Sequence, residues 1–112
     1  MGGVPTHLDI SLRVIAHPMR RCILVWLTAP QIQFPEQAYG ENFGVCMSQI
    51  VRRSQLAPST ISNHLALLEK AGLIDRLKIG AHHFFKRNES SIASLKTSLE
   101  GELGNAGLKP AD

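Results

Sequence analysis

The stretch PSTISNHLALLEKAG, Pro58 to Gly72, reads as one helix with both ends marked. Pro58 fits the first helical position, where a missing N–H costs nothing, and Gly72 fits the left-handed stop after the last turn. Ile61, Leu65 and Leu68 recur at spacings of three and four, so they define the buried side. At about 100° per residue from Leu65, Thr60, Asn63 and Leu67 fall on the far side. Ser59 lies close to that face, and Ser62 and His64 flank it. The outer N-terminal end of this helix therefore offers hydroxyls and an amide, groups that donate to and accept from base edges.

The flanking segments set that helix in a unit. MSQIVRRSQL is a short helix from about Ser48 to Arg53 followed by a turn. LIDRLKIGAHHFFKR alternates around Gly80-Ala81, as a hairpin with a two-residue turn does. Asn88 caps a last helix, with Glu89 in its first turn and Ile92, Leu95, Leu99 and Leu103 on one face. At the other end, Thr6 and Asp9 have capping-box spacing ahead of a Leu8, Leu12, Ile15 stripe. His17-Pro18 breaks that helix and starts another, apolar on two sides through Ile23, Leu24 and Leu27 and through Met19, Cys22 and Trp26. From Ala29 to Gly44 the pattern stops, and a long loop is expected in which Phe34, Tyr39 and Phe43 pack down. The order is α-α-α-α-β-β-α: a mostly helical winged helix-turn-helix over residues 6–101, with a flexible tail at 102–112.

Charge singles out the same unit. Between Cys46 and Asn88 seven Lys or Arg stand against two Asp or Glu, a net +5 in a chain whose total is +3. Arg52, Arg53, Lys78, His82, Lys86 and Arg87 are the candidates to meet a phosphate backbone. No apolar run is long enough for a membrane span and no secretory leader is visible, so no membrane partner is expected. Two cysteines make no disulfide framework, which points to a reducing cytoplasm. No nucleophile, base and orienting group stand at useful spacing, so no enzyme and no cofactor are expected.

LRVIAHPMRRCIL, SQIVRRSQLAPSTISNHLALLEKAGLI and KIGAHHFFKRNE together resemble the ArsR/SmtB family of bacterial repressors. The resemblance covers about Leu8 to Leu99. It implies a homodimer through the first and last helices, bound to a palindromic double-stranded DNA operator. It further implies a repressor of its own or neighbouring genes, released by a ligand. Ser59, Thr60, Ser62, Asn63 and His64 take the recognition-helix positions. The sequence departs from the family at Ala57, where a capping serine is usual, at Ala81 in the wing, and in the longer loop before the helix-turn-helix. A winged helix used for protein contact, docking through the Phe34–Phe43 loop, is the alternative reading.

Matching the motifs places the family's C-x-C metal pair at Cys46 and Ser48, and a hydroxyl is a poor ligand for soft metals. The last helix has no histidine for the family's other metal site. Adjacent His82 and His83 point to opposite faces of a strand. No metal site is therefore expected, and the inducer is left as a small molecule or an oxidant. Cys46, with Cys22 as its disulfide partner, is the candidate thiol sensor. The alternative is that Cys46 only fills space.

Overall fold

The computed structural model describes residues 3–35 and 43–104. The elements are α1 (His7–Ile15), α2 (Pro18–Trp26), α3 (Pro30–Gln33), β1 (Val45–Cys46), α4 (Met47–Ser54), α5 (Pro58–Lys70), β2 (Ile74–Ile79), β3 (His82–Arg87) and α6 (Glu89–Leu103). The three strands form one antiparallel sheet in the order β1-β3-β2.

The helix boundaries follow local chemistry. The Thr6 hydroxyl accepts from Asp9 N at 3.2 Å, and Thr6 N donates to the Asp9 carboxylate at 2.9 Å, closing the capping box of α1. His17 caps α2, its Nδ1 accepting from Met19 N at 3.2 Å, with Pro18 following at the first helical position. Asn88 caps α6 by accepting from Ser91 N at 3.0 Å. The hairpin turns at Gly80-Ala81, with Ile79 opposite His82 and Gly80 at φ +60°. A glycine at positive φ in the first central position is what a type II′ turn needs.

The core lies where the helices meet the sheet. Ile23 of α2 and Leu27 at its C-cap, Ile50 of α4, and Ile61, Leu65 and Leu68 of α5 pack with Val45, Leu73, Ile74 and Phe85. Phe34 joins them from the segment after α3.

Several expectations need correction. The 29–44 stretch is not all loop: Pro30 starts the short helix α3, again as a first-turn proline. Val45–Cys46 is a strand, made one by pairing with Phe85 and Phe84 rather than by any run of strand-forming residues. In α1 it is Ser11 and Val14 that are buried, whereas Leu8, Leu12 and Ile15 are only half-covered. In α2, Cys22 is exposed and only the Ile23–Leu27 side is fully buried. Helix α6 runs through Leu103, so the expected 102–112 tail begins inside a helix, and residues 105–112 lie outside the described residues, as does Tyr39.

Candidate nucleic-acid interface

The helix-turn-helix is α4, a tight turn and α5. Gln55 closes α4 in the left-handed conformation, φ 58°. The Ser54 hydroxyl locks the turn by donating to Val51 O at 2.9 Å and accepting from Leu56 N at 3.1 Å. Helix α5 then starts at Ala57 with no side-chain cap, and Pro58 supplies the fixed φ of the first turn. The absent cap leaves the leading N–H groups of α5 pointing outward without a side-chain acceptor, as suits an end that approaches an anion.

Burial of Ile61, Leu65 and Leu68 orients the rest of α5. Ser59, Thr60, Ser62 and Asn63 are all exposed on its N-terminal half. His64, expected with them, is not. It is 6% exposed and sits on the side facing α2. Its Nδ1 accepts from Arg20 Nε at 3.1 Å, and its ring lies 4.5 Å from that of His17. Burial first, and then the neighbouring His17 and Arg20, hold its pKa below the ordinary histidine value. His64 therefore lies off the exposed face, turned toward Arg20 and His17.

The basic candidates divide in the same way. Arg52, Lys78, His82 and Lys86 are exposed, Arg52 at the end of α4 and the other three on the wing strands. Arg87 turns inward. It pairs with Glu89 at 2.8 Å and donates to Thr28 Oγ1 at 2.8 Å and Leu24 O at 3.2 Å. It fastens the end of β3 to α2 and α6. Arg53 is exposed as well, and it donates to Gln33 O at 3.0 Å, with its guanidinium 4.9 Å from the Trp26 ring and 5.8 Å from Phe34. It clamps α3 against α4.

Arg76 was not among the expected residues, yet it joins the wing to the recognition helix. Its Nε meets Glu69 at 3.0 Å, Nη1 lies 3.4 Å from His83, and the guanidinium sits over Phe85 at 5.1 Å. The pairing register explains this, since Arg76 stands opposite Phe85 and Lys78 opposite His83. His83 therefore faces Arg76, and His82 lies on the other face with Phe84, as expected of adjacent strand residues.

Neither cysteine is in a disulfide; Cys22 is exposed and Cys46 buried. Cys46 is 8% exposed, stands opposite Phe84, and accepts from the Ser48 hydroxyl at 3.4 Å. One buried thiol with a hydroxyl beside it does not suit a soft metal. Among the described residues no group of three or more His, Cys, Asp or Glu is placed to hold a metal ion. No helix is long and apolar enough to cross a membrane.

A two-helix unit with a polar exposed recognition helix and a basic hairpin beside it defines a winged helix-turn-helix DNA-binding regulator. The model for bacterial regulatory proteins of the arsR family matches residues 45–76, from β1 into β2. The uncharacterized HTH-type transcriptional regulator YbzH of Bacillus subtilis is 36% identical over 93 residues, covering 81% of this chain and 93% of that one. The chain belongs to the arsR family. Two solved structures share its fold. The crystal structure of an ArsR family transcriptional regulator superposes with a TM-score of 0.71 at 17% identity, over 97% of this chain and 99% of that one. Reduced HlyU from Vibrio cholerae gives a TM-score of 0.58 at 21% identity, over 87% of each chain.

Proposed function

We propose that the chain is a cytoplasmic, homodimeric repressor that binds a palindromic double-stranded DNA operator of its own or neighbouring genes. A small-molecule or oxidant inducer releases it. The observation that carries this is the exposed Ser59, Thr60, Ser62, Asn63 face of α5, together with exposed Arg52 at the end of α4 and exposed Lys78, His82 and Lys86 on the wing strands. A recognition helix presents such residues to base edges in the major groove, while the surrounding cations fix its register on phosphate.

What one chain leaves uncovered supports the dimer. Leu8, Leu12 and Ile15 of α1 are half-covered, as are Leu95 and Leu99 of α6, and Leu103 is exposed. Ile15, Leu24, Ile92, Leu95 and Leu99 line a groove of about 310 Å³ on this side of the molecule. A second copy packed through α1 and α6 buries this surface and presents two recognition helices to successive turns of DNA. Of the loop that carries the alternative docking role, Phe34 is in the core, Phe43 is exposed, and residues 36–42 lie outside the described residues.

The test is binding to a fragment of the chain's own promoter region across a salt series. If Arg52, Lys78 and Lys86 each neutralise one phosphate per protomer, log K falls against log salt with a slope of about −5 for the dimer. Absence of binding, or binding that salt leaves unchanged, rejects the reading.

A further inference from the structure

A part-buried polar cluster between α2 and α5, with His64 buried, Arg20 half-buried and His17 exposed, belongs to neither the exposed α5 face nor the wing. Arg20 stands in its middle. Its Nε donates to His64 Nδ1 at 3.1 Å, and its Nη1 donates to Val14 O at the end of α1 at 3.2 Å. His17, the cap of α2, lies with its ring 4.5 Å from that of His64. His64 directly follows Ser62 and Asn63 on the same helix, so its seat fixes the rotation of the exposed face.

We infer that His64 and Arg20 are positioning residues that seat the recognition helix on α2, so that protonation of His64 unseats it and weakens DNA binding. This rests on the regulator reading above. The geometry requires Nδ1 to be an acceptor, which an imidazolium does not provide, since both of its ring nitrogens carry protons. Protonated His64 and Arg20 are two cations at hydrogen-bond distance in a part-buried site, where their repulsion is screened less than in open water. The charged or titratable groups that act on His64 are His17 and Arg20, both from α2 and its cap; α1 contributes the neutral Val14 carbonyl to Arg20. No carboxylate from α1, α4 or β2 among the described residues acts on it to offset the charge.

The direction with pH follows. His64 has a folded-state pKa below its ordinary 6.5. The seat is therefore fully stabilising above about pH 6.5 and loses that contribution as pH falls toward the lowered value. Acidification by itself adds positive charge to a DNA-binding surface and strengthens attraction to phosphate. A fall in affinity on acidification is thus the opposite of what a general charge effect gives.

The experiment measures operator binding by the full chain from about pH 7.5 to about pH 5.5 at constant ionic strength, for wild type and His64→Gln. A glutamine side-chain oxygen can accept from Arg20 and does not titrate. Wild type is expected to lose affinity once the pH falls past the lowered pKa of His64 in the free folded chain, by up to about tenfold per protomer for each further pH unit. His64→Gln is expected to show no such fall. Constant or rising wild-type affinity, or an equal fall in His64→Gln, overturns the inference. An NMR titration of the wild-type chain without DNA keeps the inference testable if the variant does not fold. The His64 ring and the amides of Arg20 and Asn63 are expected to shift with one apparent pKa. Ring titration with unmoved amides overturns it. Failure to bind DNA at neutral pH rejects the regulator reading instead, and the titration then decides the seat by itself.

Discussion

Gly44→Ala is expected to lower folding stability by about 2–4 kcal/mol, a drop in melting temperature of roughly 10–20 °C. Two effects combine at this position. The backbone of Gly44 is at φ +91°, where an L side chain is strained. A Cβ there would lie 2.4 Å from the Phe85 carbonyl oxygen and 2.7 Å from its carbon. Both are backbone atoms of β3, held in the sheet and unable to swing aside. The chain must come this close because Val45, the next residue, pairs with Phe85 and is itself fully buried. The damage falls where β1 leads directly into α4, so the helix-turn-helix loses its anchor to the sheet. Thermal unfolding followed by circular dichroism measures it. A change below about 0.5 kcal/mol, the size of an ordinary surface substitution, means the sheet tolerates the displacement.

Thr60→Asp is expected to abolish most operator binding while leaving the fold intact. Thr60 is the third residue of α5 and exposed. A carboxylate in the first turn interacts favourably with the helix dipole, by about 0.3–1 kcal/mol, so thermal stability holds or rises slightly. The same charge facing DNA meets phosphate and acceptor-rich base edges. Losing one good base contact costs about 1–3 kcal/mol per protomer, and in a symmetric dimer the loss is counted twice. Affinity should therefore fall by about 30-fold or more. Measuring binding and melting on the same preparation separates this outcome from misfolding. Undiminished binding places the DNA on another face.

Much of the architecture is written in local chemistry. Thr6 with Asp9, Pro18, Pro58, Gly80-Ala81 and Asn88 each mark an element boundary through atoms within a few residues. The buried side of α5 is equally local, a matter of spacing alone. What the sequence hid depends on partners far along the chain. β1 has two residues and exists because β3 pairs with it, so no propensity signals it. The inward turn of Arg87 depends on Thr28 and Leu24, and the surface contacts of Arg53 on Trp26 and Gln33. Counting charges along the chain cannot separate these arginines from Arg52 or Lys78. The His64–Arg20 bond spans 44 residues. Both motifs that carry it, HPMR and SNHL, were visible, but nothing in either spells out that they meet. The α1 stripe misled for a related reason. Leu8, Leu12 and Ile15 mark an apolar face that one chain covers only in part.

The central claim is that the exposed N-terminal face of α5 reads base sequence. Asn63 is its best-defined reader, because its amide can pair bidentately with adenine. The decisive measurement compares wild type and Asn63→Ala on an operator and on variants changed at each half-site base pair. The account predicts that Asn63→Ala loses about 1–3 kcal/mol of discrimination at one position, with the salt slope unchanged. An equal fall on every sequence would mean that Asn63 only contacts the backbone, and no change at all would contradict the assignment of this face.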